Sequence, residues 1–230
     1  MLIGCGLTLT PAGPDQHDSQ SVELDKSERV RASLKMNAGS LEVRGGSQKL
    51  VEGDFTYNVT AWKPDVRYSS AGGDGDLQIE QPGPKSSTGN TKNIWDLRFN
   101  KAVPLDLKAQ LGAGEARLNL GGLNLRGLSV EMGAGELSVD LRGKPAKDYS
   151  VHIRGGAGDA TVYLPKDVGL SATVTGGLGE VSVNGLHKSG DKYVNDAYGT
   201  AAVNIKLDIT GGVGSVKLNA DQDGAAQLGR

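Results

Sequence analysis

A short glycine motif recurs along the chain, and it could bind a ligand in either of two ways. The motif is Gly-x-Gly, usually followed by an acidic residue, as in GAGE at residues 133–136. Backbone amides of a glycine-rich loop can hold phosphate where a helix follows, and carboxylates can bind calcium. A repeating structural corner, in contrast, needs no ligand. The glycines of the five regular copies are Gly112, Gly114, Gly133, Gly135, Gly156, Gly158, Gly177, Gly179, Gly212 and Gly214.

Phosphate binding is disfavoured by the residues that follow the glycine pairs. A dinucleotide-binding fingerprint needs a third glycine and the N-terminus of a helix. Ser138, Thr161 and Ser182 stand at that third position, and the sequence has no helical periodicity nearby. A carboxylate directly after the glycines would also repel phosphate. The motif therefore predicts a tight corner, since glycine adopts a positive φ more readily than other residues.

The acidic residues after the glycine pairs could instead bind a cation. If equivalent repeats stack as neighbouring strands, these carboxylates form one row with a spacing of about 4.8 Å. Calcium takes about six to eight oxygen ligands, which is more than such a row supplies. A solvated, charged edge is the favoured interpretation, and no metal site is predicted. The four residues concerned are Glu115, Glu136, Asp159 and Glu180.

The spacing of the glycine pairs indicates a repeat architecture. Successive pairs begin 21, 23, 21 and 35 residues apart, and the longer last step matches a polar insertion at residues 187–199. Apolar residues alternate on both sides of each corner, as at Leu128, Val130 and Met132, which predicts strands with one buried face. We therefore predict an all-β fold. A β-solenoid of stacked parallel coils is favoured because it explains the period, with an antiparallel meander or sandwich as the alternative.

Composition agrees with a β-rich chain and argues against several classes of function. The 230 residues include 35 glycines and only 4% aromatic residues, and the net charge is −2. So much glycine disfavours helices, and scattered charges without a basic cluster argue against nucleic-acid binding. His17, His152 and His187 have no cysteine or second histidine at ligand spacing. The sequence therefore predicts no cofactor, no metal and no catalytic residue.

Four segments can be distinguished along the chain. Residues 1–29 combine a lipobox-like start with a polar tether, and residues 30–93 form an atypical N-terminal module that ends in a loop rich in Pro, Gly and Ser. Residues 94–220 carry the regular repeats, and residues 221–230 are a polar tail. The aromatic residues of the N-terminal module, and those just after its loop, favour a hydrophobic cap over the first coil, with a carbohydrate- or partner-binding patch as the alternative. They are Phe55, Tyr57, Trp62, Tyr68, Trp95 and Phe99.

The single cysteine, Cys5, ends the sequence Leu-Ile-Gly-Cys, which resembles the lipobox of bacterial lipoproteins. In that signal the chain is cut before the cysteine, and the thiol carries the lipid. The motif predicts lipidation of Cys5. It also predicts a membrane-anchored lipoprotein on the extracytoplasmic side of the bacterial cell envelope.

Four stretches of the chain resemble the toast-rack family, which includes the C-terminal region of the cell-wall-active antibiotic response protein LiaF. They are residues 38–82, 103–141, 155–181 and 210–218, and they include the motifs GAGEARLNL, GAGELSVDL and GAGDATVYL. The resemblance implies an envelope domain like a β-solenoid, with no known catalytic residues. In LiaF the domain belongs to a protein that restrains stress-response signalling, and related domains are labelled adhesins.

We therefore expect a non-enzymatic, lipid-anchored envelope protein that acts as an interaction or sensing module, for example in envelope stress. Its partners would be the membrane and an unknown protein or cell-wall component. A glycan-binding or glycan-active β-helix protein is one alternative, because the fold does not determine the function. A structural or adhesive surface protein is another.

Overall fold

The computed structural model of the protein describes residues 10–83, 87–177 and 179–220. Apart from one turn of 3-10 helix at Thr60–Trp62, the regular structure of these residues is β-strand, which confirms the all-β prediction. The strands are β1 Thr10–Pro11, β2 Gln16–Val22, β3 Arg29–Gly45, β4 Val51–Tyr57, β5 Asp65–Ala71, β6 Asp74–Glu80, β7 Ser87–Thr88, β8 Asn93–Phe99, β9 Leu105–Asn119, β10 Leu125–Asp140, β11 Tyr149–Tyr163, β12 Gly169–Thr175, β13 Val181–Asn184, β14 His187–Ser189, β15 Lys192–Val194, β16 Asn204–Thr210 and β17 Val216–Asn219.

Four long strands form the centre of the molecule. Strands β3, β9, β10 and β11 lie side by side in parallel, and equivalent residues of the repeats face one another. Gly39 pairs with Gly114, Gly114 with Gly135, and Gly135 with Gly158. One repeat of sequence therefore becomes one step across the sheet, about 4.8 Å. The repeats do not form the antiparallel meander that was the alternative.

Each long strand bends sharply at its glycine corner. The 15 residues of β9 would span about 50 Å if they were straight. Residues 120–124 alone connect the end of β9 to the start of β10, and this link can reach at most about 22 Å. This link returns the chain to where β9 began, since the Leu105 amide donates to the carbonyl of Asn124 at 2.9 Å. The strand must fold back, so its two halves lie on opposite sides of the core.

The two halves of the long strands define two layers. The first layer contains the halves before the corners, together with β5, β6, β12, β14, β15 and β16, and the second contains the halves after them, together with β2, β4, β8, β13 and β17. Inward side chains alternate in both layers, as Leu128, Val130, Leu137 and Val139 do in β10, and all four are buried. They belong to one hydrophobic core that runs the length of the stack.

The last repeat in the sequence does not lie at the end of the stack. Strands β16 and β17 lie between β11 on one side and β12 with β13 on the other. The chain thus passes over one repeat position and returns to fill it. The insertion at residues 187–199 supplies part of this longer path, and its hairpin β14–β15 pairs with the edge of β12 through Tyr193 and Val194.

The N-terminal segments close the opposite end of the stack. Strands β8, β4 and β2 continue the second layer beyond β3, and β6 and β5 continue the first. Phe55 and Trp95 pack edge to face beneath them, with ring centroids 5.6 Å apart. Trp62 and Phe99 are buried as well. The burial of these rings supports a hydrophobic cap rather than an exposed aromatic patch.

Two of the predicted segments differ from the structure. Residues 10–29 were expected to be a flexible tether, but Gln16–Val22 forms β2 and pairs with β4 along its whole length. The expected boundary at residues 93 and 94 falls at the start of β8, which pairs with both β3 and β4, so both predicted modules share one core. Cys5 and the tail at residues 221–230 lie outside the described residues. Within the described ranges, no helix is long and apolar enough to span a membrane.

Candidate functional site

The glycine corners stack into a ladder that leaves no room for side chains. Gly135 has a φ of +125°, a conformation that strains other residues. A Cβ atom at Gly135 would overlap the carbonyl oxygen of Gly114, and one at Gly158 would overlap that of Gly135. Close approach of neighbouring strands and a positive φ therefore both require glycine here. The ladder continues through Gly214 to Gly179, the second glycine of the corner in the terminal repeat.

The backbone amides at these corners donate hydrogen bonds to neighbouring strands. The amide of Gly158 donates to the carbonyl of Val213 at 2.8 Å, and the amide of Val213 donates to the carbonyl of Gly156 at 2.8 Å. A phosphate-binding loop needs such amides to be free and convergent. The geometry therefore supports the structural interpretation of the glycine motif.

The acidic row is shorter than the sequence pattern predicts. Glu115, Glu136 and Asp159 occupy adjacent strands, in agreement with stacked repeats. The next strand places Ser215 beside Asp159, and Glu180 lies beyond it because the last repeat is inserted between β11 and β13. Glu180 is therefore separated from the other three carboxylates.

Neighbouring groups already bind two of the three carboxylates of this row, Asp159 and Glu115. Asp159 accepts hydrogen bonds from the Ser215 hydroxyl at 2.7 Å and the Ser215 amide at 2.9 Å. These two bonds, with a smaller contribution from the charge of Lys217, hold the pKa of Asp159 below its ordinary value. Glu115 pairs with Arg117. Within the described ranges, no group of three or more His, Cys, Asp or Glu residues is arranged to hold a metal ion.

A broad groove on the outer face of the first layer is a stronger candidate for a ligand site. Its volume is about 800 Å³, and it crosses β6, β3, β9, β10, β11 and β16. Small residues, Ser33, Gly127, Ser129 and Ser150, occupy its central positions. Longer charged side chains line the rest. They are Arg31, Asp76, Glu80, Asp106, Lys108, Arg126, Asp148 and Lys206.

A β-bulge shapes the centre of this groove. The register between β9 and β10 shifts between Leu125 and Gly127, so Arg126 is the extra residue. Asp106 Oδ1 lies 3.1 Å from the place where a Cβ atom of Gly127 would be. Bulges commonly redirect side chains beside binding sites. The bulge and the missing side chain at Gly127 thus leave both Arg126 and the Asp106 carboxylate at the groove.

Three charged side chains of the groove have neither an ion-pair partner within 4.0 Å nor a hydrogen-bond partner among the described residues. They are Asp106, Arg126 and Lys206, whereas Arg31 pairs with Asp74 at 3.2 Å and Lys108 with Glu131 at 3.3 Å. A charged side chain that has no protein partner in an open groove is available to a ligand.

Other groups in the groove are less available. His152, which the alternation predicts to face solvent, does so and lies 3.3 Å from Asp208. Tyr149 is the aromatic residue of the groove wall and is only 7% exposed, and burial raises its pKa. The groove therefore offers hydrogen-bonding groups but little ring surface for stacking.

Sequence reasoning did not identify the groove residues. The signal for its centre was the interruption at Gly127, because an isolated glycine in a strand often marks a bulge. The charged residues have the pattern of an ordinary solvated face. Strands that are distant in sequence determine which of these residues have an ion-pair partner, so the sequence alone does not reveal the unpaired ones.

Comparisons with known proteins agree with this architecture. The family model described as the N-terminal domain of toast_rack, DUF2154, matches residues 11–163. The crystal structure of a "putative cell adhesion protein" from Clostridium sporogenes ATCC 15579 is 34% identical and has a TM-score of 0.87, with 90% of this chain and 100% of that chain covered. None of the curated proteins matches the chain.

Two further crystal structures are more distant. A "putative adhesin" from Bacteroides fragilis NCTC 9343 is 12% identical with a TM-score of 0.31, covering 90% of this chain and 98% of that chain. One from Parabacteroides distasonis ATCC 8503 is 14% identical with a TM-score of 0.28, covering 91% and 99%. The family model, in contrast, spans more than half of the sequence and both parts of the fold, the cap and the first stacked repeats. The chain therefore belongs to the toast-rack family, through the N-terminal domain that defines it.

Proposed function

We propose that the protein is a non-enzymatic interaction module of the bacterial cell envelope that acts in adhesion. The observation that carries this proposal is the likeness to the Clostridium sporogenes protein, described as a "putative cell adhesion protein", at 34% identity over the whole of that chain. The groove on the first layer supports it by offering a wide, open contact surface. The glycine corners supply the rigid scaffold that presents this surface.

We interpret the stacked repeats as a short β-solenoid. The parallel register of equivalent residues and the bend at each corner support this interpretation. From β2 to β13 the second layer extends over eight strand spacings, or about 38 Å. Such a stack forms an extended platform whose outer faces are available for binding.

A binding role fits the groove better than a catalytic one. Glycoside hydrolysis generally needs two carboxylates that act on opposite sides of the scissile bond. Asp148 accepts a hydrogen bond from the amide of Asn204 at 2.8 Å, and Glu80 pairs with Arg67 at 3.1 Å. Asp76 accepts a hydrogen bond from Gln78 at 2.9 Å. Asp106 thus lacks the partner that the other groove carboxylates have, so one carboxylate rather than a pair is available.

We further propose that a lipid on Cys5 anchors the module. The lipobox-like sequence supports this, although Cys5 lies outside the described residues. Thr10, the first residue of β1, follows Cys5 by five residues, which span at most about 18 Å. The anchor would therefore hold the capped, N-terminal end of the stack close to the membrane. A role in envelope stress rests on the resemblance to LiaF alone.

Deletion and complementation in the source bacterium test the adhesive function. We expect deletion of the gene to reduce attachment of the cells to surfaces or to one another, and the full chain expressed from its natural start to restore it. Cys5→Ala should release the protein into the medium and fail to restore attachment. Unchanged attachment after deletion would contradict adhesion, and equal membrane association of the two forms would contradict the anchor.

A further inference from the structure

One row of side chains crosses the groove at right angles to the strands. Because neighbouring strands are about 4.8 Å apart, the row is about 24 Å long. Its charges alternate in sign except at the centre, where a glycine and a serine leave a depression. In spatial order the row consists of Asp76, Arg31, Asp106, Gly127, Ser150 and Lys206.

The groups that lack partners determine what this depression can bind. The Asp106 carboxylate can only accept hydrogen bonds, whereas Arg126 and Lys206 can only donate them. A sugar hydroxyl can donate to the first and accept from the others. Arg126 and Lys206 lie on the strands that flank Ser150, and neither is neutralised by a protein partner, so together they favour an anionic group on the ligand.

We propose that this groove binds a glycan chain that carries carboxylate groups, laid across β9, β10, β11 and β16. Asp106 accepts hydrogen bonds from sugar hydroxyls, and Arg126 and Lys206 hold a sugar carboxylate. Ser150, between Gly127 and Lys206, adds a hydroxyl to the floor. This inference rests on the adhesive function proposed above and names the class of ligand at its contact surface.

The charge pattern disfavours a densely anionic polymer. Asp106 lies beside the depression, and Asp76 and Asp148 line the same groove. A chain with a charge on every unit and no hydroxyl groups would meet these carboxylates without a compensating hydrogen bond. An acidic glycan places hydroxyls among its charges, so it can satisfy Asp106 and the two cations together.

Three soluble probes distinguish the need for carboxylates on the ligand from the need for hydroxyls. Calorimetric titration of the whole protein should show that oligogalacturonate, with carboxylates and hydroxyls, binds at least tenfold more tightly than maltohexaose, which has hydroxyls only. It should also bind at least tenfold more tightly than an oligoglutamate of similar length, which has carboxylates and peptide groups but no hydroxyls. Added salt should weaken the binding of oligogalacturonate, because the groove is open to solvent.

Single substitutions connect the binding to the groove. We expect Arg126→Gln and Lys206→Gln each to weaken oligogalacturonate binding by about tenfold, the usual effect of losing a charged hydrogen bond. The matched control is Lys217→Gln, an exposed lysine of the same repeat on the outer face of the second layer. The control should bind oligogalacturonate as the wild type does.

Asp106→Asn tests whether the Asp106 carboxylate accepts hydrogen bonds from the ligand or only repels its negative charge. It should weaken oligogalacturonate binding while leaving oligoglutamate binding unchanged or stronger, since a repulsive charge is removed. Gly127→Ala adds a methyl group next to Asp106 Oδ1 without a strained φ. It should weaken oligogalacturonate binding several-fold without lowering the melting temperature, which separates a blocked floor from a damaged fold.

Each other outcome overturns the inference. Equal binding of maltohexaose would remove the carboxylate requirement, and equal binding of oligoglutamate would show a simple charged surface. Stronger oligogalacturonate binding by Asp106→Asn would also show a simple charged surface. Failure of all three probes to bind would exclude this ligand class. If gene deletion still abolished attachment, that failure would leave the adhesive function standing.

Discussion

Replacement of Gly135 by alanine tests whether the corners are a close-packed scaffold. A residue with a Cβ atom at a φ of +125° carries strain of about 1–3 kcal/mol. The new methyl group would also overlap the Gly114 carbonyl oxygen and lie 2.9 Å from Met132 Cε, so the strands must shift. Overpacking of this kind costs about 1–3 kcal/mol more. We therefore expect Gly135→Ala to lower the free energy of unfolding by about 2–6 kcal/mol.

Urea unfolding of the whole protein measures this change, with Gly155→Ala as the matched control. Gly155 directly precedes the next corner, its φ is not in the left-handed range, and a Cβ atom there would meet nothing within 4 Å. Alanine at that position should leave stability within about 0.5 kcal/mol of the wild type or raise it by up to about 1 kcal/mol. A loss below about 0.5 kcal/mol in Gly135→Ala would refute the close-packed corner.

Three further changes examine the acidic row and the cap. Ser215→Ala removes the strongest interaction that lowers the pKa of Asp159, so an NMR titration should show that pKa rising; an unchanged pKa would contradict the assignment. In the wild type, this carboxylate stabilises the fold above its unfolded pKa of about 3.9, and the benefit is lost as pH falls through the lower folded pKa. Millimolar calcium should not raise the melting temperature of the wild type, and a rise that Glu136→Gln with Asp159→Asn abolishes would establish a metal site. Asn93→Ala leaves the buried Trp95 indole N–H, 2.9 Å from the Asn93 amide oxygen, without its acceptor and should cost about 2–4 kcal/mol in urea unfolding; a cost under 0.5 kcal/mol would contradict the role of this bond.

Much of the stack follows from local rules. Alternating apolar residues around Gly133 and Gly135 predict two short strands with one buried face, and a fixed period predicts that such units stack. These features depend on neighbouring residues and on an even spacing, both of which the sequence displays directly. The parallel pairing of β9, β10 and β11 follows the same pattern.

The order of the repeats could not be predicted in this way. All repeats present similar apolar faces and glycine corners, so β17 could in principle pair with several neighbours. The insertion before β16 permits the observed order, because a longer link lets the chain pass over one repeat position in the stack and then return to it. The separation of Glu180 from Asp159 follows from this path rather than from any local signal.

The capped end depends on contacts between distant side chains. Gln81 Oε1 accepts hydrogen bonds from the backbone amides of Asn37, at 2.8 Å, and Ala38, at 3.4 Å, and also from the side-chain Nδ2 of Asn93 at 2.9 Å. At the first glycine corner these side chains occupy the place that a preceding repeat would fill. Strand β2 was missed for a related reason. As an edge strand it carries polar residues such as Asp18 even on its inner side, so its composition resembled that of a tether.

We assign the role of scaffold to the glycine corners and ligand binding to the outer face of the first layer. Backbone amide NMR of the full chain, recorded with and without oligogalacturonate, tests this assignment most directly. We expect shifts at Asp106, Gly127 and Ser150, and none at the corner residues Glu136 and Asp159. Shifts confined to the glycine corners, with the groove unchanged, would contradict the assignment and restore the motif as a ligand site.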